Sequence, residues 1–572
     1  MKLIKFNDLP STVPNLENIK EKMEKLSEQL ENAESPKDAL KAVEAAFRLH
    51  DKIESQLTII SVRYSINTLD TEIKDKNQEC DEVSPYLGEI FNSFFNQMLV
   101  NKHRDFLEKK LGTHLFNIIE NEKSCFEPVI LEDLVEENRL TNEYDSFIAS
   151  AEIPFDNAIY NLTQISKFMS STDRDVRIRA AHAYWGFFEK NDDIIGDMYT
   201  RLVNCRNRMA HKLGYKNFVE LGYKRLDRLD YNADMVKGYR EQIRKVVVPE
   251  VQKLVARQMK RIGVKNPVFV DYNLQFKNGN ATPRGTSEDL INAAREMYHE
   301  MSDETGYFFD VMADYGYMDL DAKLGKMSGG YMTYIPTVRA PFIFSNSNGT
   351  SADVDTLTHE FGHAFQGYLG GVYKVPHYRA PTLEACEIHS MSMEFFAYPW
   401  MDLFFGRDAN KYRYAHLSSA IEFLPYGVAV DEFQHFVYEN PTATHAERCA
   451  KWKEIDQKYR PWMTYEGFDY LNKGTFWMKQ AHIFDSPFYY IDYTLAQVLA
   501  LQFKCEMDRN RDRAWNKYIK LLKLAGKYPF ITLIEKAGLR NPFVDGNVEK
   551  VIKPQIKQLN KMNRELTPKK SK

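Results

Sequence analysis

Asp355-Thr356-Leu357-Thr358-His359-Glu360-Phe361-Gly362-His363-Ala364 is the stretch that decides how this chain folds and what chemistry it can hold. Its two histidines stand four residues apart, so on a helix they share one face with β-carbons roughly 5–6 Å apart. Two imidazoles so placed can converge on one tetrahedral ion at about 2.0–2.1 Å. Glu360, next to the first of them, can reach a water at such an ion without coordinating the ion, as a general base requires. The competing reading is a buried helix with two satisfied histidines. Gly362 counts against it, because a glycine inside a helix costs about 1 kcal/mol relative to alanine and usually has a packing or access reason.

Two histidines leave a catalytic zinc one protein ligand short, and a carboxylate from a second helix is the commonest completion of this motif. Leu383-Glu384-Ala385-Cys386-Glu387-Ile388-His389-Ser390-Met391-Ser392-Met393-Glu394 reads as that helix, ending before Pro399, with Glu387 and Glu394 seven apart on one face. Glu387 is therefore the expected third ligand. Glu394 is expected beyond it, accepting the remaining ring N–H of a ligand histidine and fixing its tautomer. Glu384 and His389 compete for the ligand role. Asp355, one turn before His359, either orients an imidazole or favours the positive end of its own helix. The metal is expected to be one Zn2+ per chain, and the same donors accept cobalt or manganese.

Outward from this centre, residues 15–260 carry apolar side chains at three- and four-residue intervals, as in Leu16, Ile19, Met23, Leu26 and Leu30, which predicts amphipathic helices. Ser35-Pro36 reads as a cap followed by a first-turn proline, and Ser171 before Asp173 as another helix start with acids in its first turn. Between Gly325 and Thr350, clustered Gly, Pro and Asn surround β-favouring runs at Tyr331–Ile335 and Phe342–Phe344, so a small sheet is expected there. Helical periodicity returns near Ser351. Ser486-Pro487 can open a helix whose core stripe is Ile491, Leu495 and Val498, leaving Tyr489 and Tyr493 together on another face. The Lys-rich end from Lys550 reads as a solvated helix end. The expected class is mainly α, divided into an N-terminal helical lobe, 1–195, and a catalytic lobe, 196–572.

The chain has 572 residues, 44% hydrophobic, enough for a large core. Its 76 basic and 80 acidic residues nearly cancel, which argues against a nucleic-acid or anionic-membrane partner. Six scattered cysteines without a Cys-x-x-Cys pair argue against a disulfide framework and a thiolate zinc site. The N-terminal stretch meets Asp and Pro before a signal-peptide apolar run develops, and no run of 18 apolar residues follows, so a soluble cytoplasmic protein is expected.

These residues resemble the thimet-oligopeptidase-like zinc peptidases, most of all their oligoendopeptidase F branch. The likeness includes Asp355 to Ala364, then Glu387-x-x-Ser390-x-x-x-Glu394 with the spacing between them, and upstream Arg208-Met209-Ala210-His211-Lys212-Leu213-Gly214-Tyr215-Lys216-Asn217-Phe218. The resemblance implies a two-lobed, clam-like helical body around a deep channel that admits short unstructured peptides, with zinc at its floor. It also implies that substrate backbone lies along an edge strand and a Gly-rich loop, here Ser328, Gly329, Gly330 and Tyr331. A late His and Tyr cluster maps onto Gln480-Ala481-His482-Ile483-Phe484-Asp485-Ser486-Pro487-Phe488-Tyr489-Tyr490-Ile491-Asp492-Tyr493, with His482 and Tyr493 as oxyanion donors and Tyr489 and Tyr490 as alternates. The activity so implied is endopeptidase. A dipeptidyl carboxypeptidase using Arg379 for the substrate's terminal carboxylate is the alternative within the class. A non-catalytic zinc-containing peptide-binding shell is the alternative outside it, disfavoured by the unligated Glu360.

Overall fold

Apolar side chains repeating every three to four residues, with a cap at each start, fold the first hundred residues into three helices, Leu16–Glu31, Pro36–Ile66 and Thr71–Val100. The side chains of Asn15, Ser35 and Asp70 accept from backbone N–H groups of their first turns, and Pro36 occupies the first turn behind Ser35. Ile19, Met23 and Leu30 pack with Val43, Phe47, Phe94 and Met98 into one core, with Leu16 and Leu26 at its margin. The structure, a computed structural model, describes residues 4–323, 325–327, 329–347 and 349–566. It is 72% helix and 4% strand.

The chain divides into two compact units that alternate along the sequence. The first comprises Met1–Lys123, Thr282–Ala409 and Glu506–Leu539, and the second Ser124–Ala281, Asn410–Cys505 and Arg540–Lys572. No helix among the described residues is long and apolar enough to cross a membrane. All six cysteines are free thiols.

The second unit holds a hairpin of β1 (Ile153–Phe155) and β2 (Ala158–Tyr160), in a stretch whose periodicity predicts helix. Asp156 and Asn157 make its two-residue turn, both at positive φ, a conformation these residues tolerate. The first unit holds a three-stranded sheet of β3 (Met318–Asp321), β4 (Tyr331–Ile335) and β5 (Ala340–Ser347), ordered β3-β5-β4. Central β5 pairs parallel with β3, Met318 opposite Ile343, and antiparallel with β4, from Tyr331 opposite Phe344 to Ile335 opposite Ala340. Its first six residues are buried. One side of β4 is left outside this ladder.

The helix Ser351–Gly370, carrying the His-Glu-x-x-His motif, packs on β4 and β5 and against a second helix, Leu383–Phe396. Gly362 is where the two helices meet. A Cβ built there would stand 2.7 Å from the His389 carbonyl oxygen and 2.7 Å from Ser390 Cα, so only glycine lets the backbones come this close.

Two helix starts differ from the sequence expectation. Asp173, not Ser171, caps Arg174–Lys190, and Ser171 Oγ accepts from the Asp173 N–H at 3.2 Å. The late helix begins at Tyr490 rather than behind Pro487, because Phe488 takes φ +67 and interrupts the turn.

Candidate active site

His359 and His363 lie on one face of the motif helix, their ring centroids 4.9 Å apart. Glu387 reaches toward both from the neighbouring helix, with Oε2 3.2 Å from His359 Nε2 and 3.6 Å from His363 Nε2. A tetrahedral ion with ligands at about 2.0–2.1 Å spaces those ligands about 3.3 Å apart. Among the described residues these three supply donor atoms within 4.8 Å of one another, and two nitrogens with one carboxylate oxygen make a donor set that zinc accepts. The residues present therefore fit the metal.

Each donor is held by its neighbours. Glu394 Oε1 accepts the Nδ1–H of His359 at 2.7 Å, which turns Nε2 toward the other two donors. Ser390 Oγ donates to Glu387 Oε2 at 3.0 Å. Ser390 belongs to the quoted motif but carried no assigned role, although its position three residues after Glu387 puts it within reach on one helix. Asp355 is half-buried one turn before His359, and its carbonyl accepts from Thr358 Oγ1 at 3.1 Å. The partner of His359 Nδ1 is Glu394.

Burial opposes charge throughout this group, and the pairs overcome it. Burial would lower the His359 imidazole, yet hydrogen bonds to Glu387 and Glu394 hold it well above its ordinary value. Burial would raise Glu387, and His363 with His359 hold it well below. Glu360 is buried and outside the donor trio. Desolvation raises its carboxyl above the usual range, partly offset by the two histidines. That direction suits a group that must take up a proton and release it again.

The competing ligands do not join the trio. Glu384 and His389 are fully buried, and burial drives the His389 imidazole down to about 3. Arg379 is committed elsewhere. Its two terminal nitrogens donate to Asp51 at 2.5 and 2.8 Å and its Nε to the Tyr373 carbonyl at 3.0 Å, so it cannot serve a substrate carboxylate without breaking a bidentate pair. A further acid and thiol group, Asp133, Glu136 and Cys205, also brings donor atoms within 4.8 Å of one another, but its two carboxylates are already paired with Arg208 and Lys212.

The Gly-rich loop lies against the motif helix. A Cβ at Gly330 would be 3.2 Å from Thr356 Cγ2, and Gly329 sits at φ +92 with its carbonyl accepting from Asn346 at 3.1 Å. Tyr331 then opens edge strand β4. Ser328 lies outside the described residues.

In the second unit, His482 and three tyrosines form a cluster. His482 Nε2 is 3.4 Å from Tyr493 OH, and the ring centroids of Tyr489, Tyr490 and Tyr493 lie 6.0, 5.1 and 5.6 Å from that of His482. Two residues without an expected role orient the imidazole. Tyr426 OH donates to Gln480 Oε1 at 2.9 Å, and Gln480 Nε2 donates to His482 Nδ1 at 2.9 Å. Nδ1 is thereby the acceptor, and Nε2 carries the proton toward Tyr493. Tyr426 is 56 residues upstream of His482, too distant for any local pattern to link them.

Residues 6–126 match the Peptidase M3 N-terminal domain, and residues 167–551 match Peptidase family M3. No curated protein matches the chain. Among solved structures, the fold is similar to a PZ peptidase A with an inhibitor, at 46% identity over 97% of this chain and 99% of that one, with a TM-score of 0.93. A structure named as an oligoendopeptidase F is 45% identical over 97% of this chain and 99% of its own, also at 0.93. Another, from Bacillus anthracis str. Ames, is 41% identical over 98% and 99%, at 0.89.

Proposed function

The chain belongs to peptidase family M3, and from that membership we propose that it is a zinc-dependent endopeptidase hydrolysing internal bonds of short, unstructured peptides. One observation carries the reading: His359 Nε2, His363 Nε2 and Glu387 Oε2 converge while buried Glu360 stands beside them as an unligated carboxylate. A closed structural site has no use for such a group. The names of the similar structures, oligoendopeptidase F and PZ peptidase, support the substrate class.

When bound, a divalent cation at these donors supplies Lewis acidity to the scissile carbonyl and acidifies a water. Glu360 takes the proton from the attacking water and returns it to the leaving amine. Glu394 keeps His359 in the tautomer that presents Nε2, and Ser390 holds Glu387 in place. His482 and Tyr493, with Tyr489 and Tyr490 as alternates, donate to the oxyanion that develops on the carbonyl, a contribution of about 3–4 kcal/mol per donor. Gly329, Gly330, Tyr331 and the outer side of β4 take the peptide backbone as an added strand. Arg379 is held by Asp51, which counts against that residue as the carboxylate group of a dipeptidyl carboxypeptidase.

Glu360→Gln is expected to keep the metal, measured as zinc per chain, and to lose peptide turnover by several orders of magnitude. Near-normal cleavage by that variant would end the proposal.

A further inference from the structure

The second unit contains a cavity of about 310 Å³ whose walls are largely aromatic, among them Tyr184, Trp185, Tyr426 and Phe476. Two cations enter it and no Asp or Glu is among its lining residues. Arg460 lies 4.8 Å from the Tyr426 ring centre and 4.6 Å from that of Phe476, but its charge is answered by Asp456 at 2.5 Å. Lys479 is different. Its ammonium stands 4.5 Å from the Phe476 ring centre and has no carboxylate partner among the described residues. Lys479 is exposed in area, yet burial and then Arg460 push its amine down to about 8. Its side chain is part of the cavity wall.

An unanswered cation among aromatic rings suits a ligand with a carboxylate and an apolar body close together. The last residue of a peptide has that form, since its carboxylate and its side chain leave one Cα. An internal aspartate or glutamate brings the carboxylate without the apolar body. Tyr426 ties the cavity to the proposed oxyanion donors, for its ring forms part of the wall while its hydroxyl holds Gln480, which holds His482. Tyr490 packs on the same ring, centroids 5.8 Å apart.

We propose that this cavity receives the C-terminal residue of the peptide substrate, its carboxylate on Lys479 and its side chain among Tyr184, Trp185 and Phe476. The assignment rests on the peptidase reading, because a carboxylate-ended segment lies on the leaving-amine side of the bond that is cut. An enzyme so built cuts internally while sensing where its substrate ends.

The test uses the full-length zinc-loaded enzyme and three short peptides of one sequence, ending in phenylalanine as the free acid, phenylalanine amide, or glutamate amide. For the wild type, kcat/KM is expected to favour the free acid over phenylalanine amide about tenfold, mainly through KM. In Lys479→Ala that ratio falls to near one, and in Lys479→Arg it is restored. A ratio that persists in Lys479→Ala overturns the proposal, as does glutamate amide matching the free acid, which would make the cavity a side-chain subsite. If the wild type cleaves none of the peptides, the peptidase reading fails by itself. Calorimetric titration with Ala-Ala-Phe then decides the cavity alone: binding weakened about tenfold in Lys479→Ala supports it, and unchanged binding ends it.

Discussion

Glu394 touches none of the converging donor atoms, yet it sets the orientation of the first. Its 2.7 Å bond to His359 Nδ1 leaves Nε2 as the lone pair available to an ion. Glu394→Ala is expected to weaken zinc affinity about 10–100-fold, the usual cost of removing such a partner, while leaving His359, His363 and Glu387 in place. Competition against a chelating dye would show it, and unchanged affinity would mean that backbone rigidity alone orients the ring. At this scale the convergence of the donor atoms is legible in the sequence, because side chains on one helix obey its 3.6-residue period. The four-residue step to His363 and the seven-residue step from Glu387 to Glu394 are local geometry. Tyr426 and Gln480 are not legible in that way, since their bond crosses between distant segments and no spacing rule announces it.

Between elements, the decisive contact is the crossing of the motif helix and the Leu383–Phe396 helix at Gly362. Helix propensity predicts that Gly362→Ala stabilises by about 1 kcal/mol. Packing predicts the reverse, because the atoms that a new Cβ meets at 2.7 Å include backbone, and backbone cannot swing aside as a side-chain tip can. Overpacking of this kind costs about 1–3 kcal/mol, so the variant is expected to unfold at lower denaturant and to retain less zinc. A stabilised variant with full zinc would show that the helices can separate without moving Glu387. The glycine signals in the sequence that something comes close, but not what, because the partner lies more than twenty residues away. The β1–β2 hairpin is missed for a related reason. Its strands are three residues each, too short to display a period, and only the Asp156-Asn157 turn marks it.

For the molecule as a whole, the donor trio lies within one unit, the one built from Met1–Lys123, Thr282–Ala409 and Glu506–Leu539. A ligand that binds only the folded form stabilises what it holds. Removing zinc with a chelator is therefore expected to raise amide hydrogen exchange across residues 351–396 while leaving the Asn547–Leu566 helix of the other unit protected. Equal deprotection of both would make the two units a single cooperative block. The mainly helical class is legible from periodicity along most of the chain, whereas the alternation of the units is not, because it depends on contacts between segments hundreds of residues apart.

That alternation orders events during synthesis. The proposed metal donors at 359, 363 and 387 leave the ribosome well before Glu506–Leu539, from which Tyr518 hydrogen-bonds the His389 carbonyl and Trp515 packs on Phe365 and Phe396. The helix pair that carries these donors thus lacks part of its support until a segment 129 residues downstream of His389 has been made.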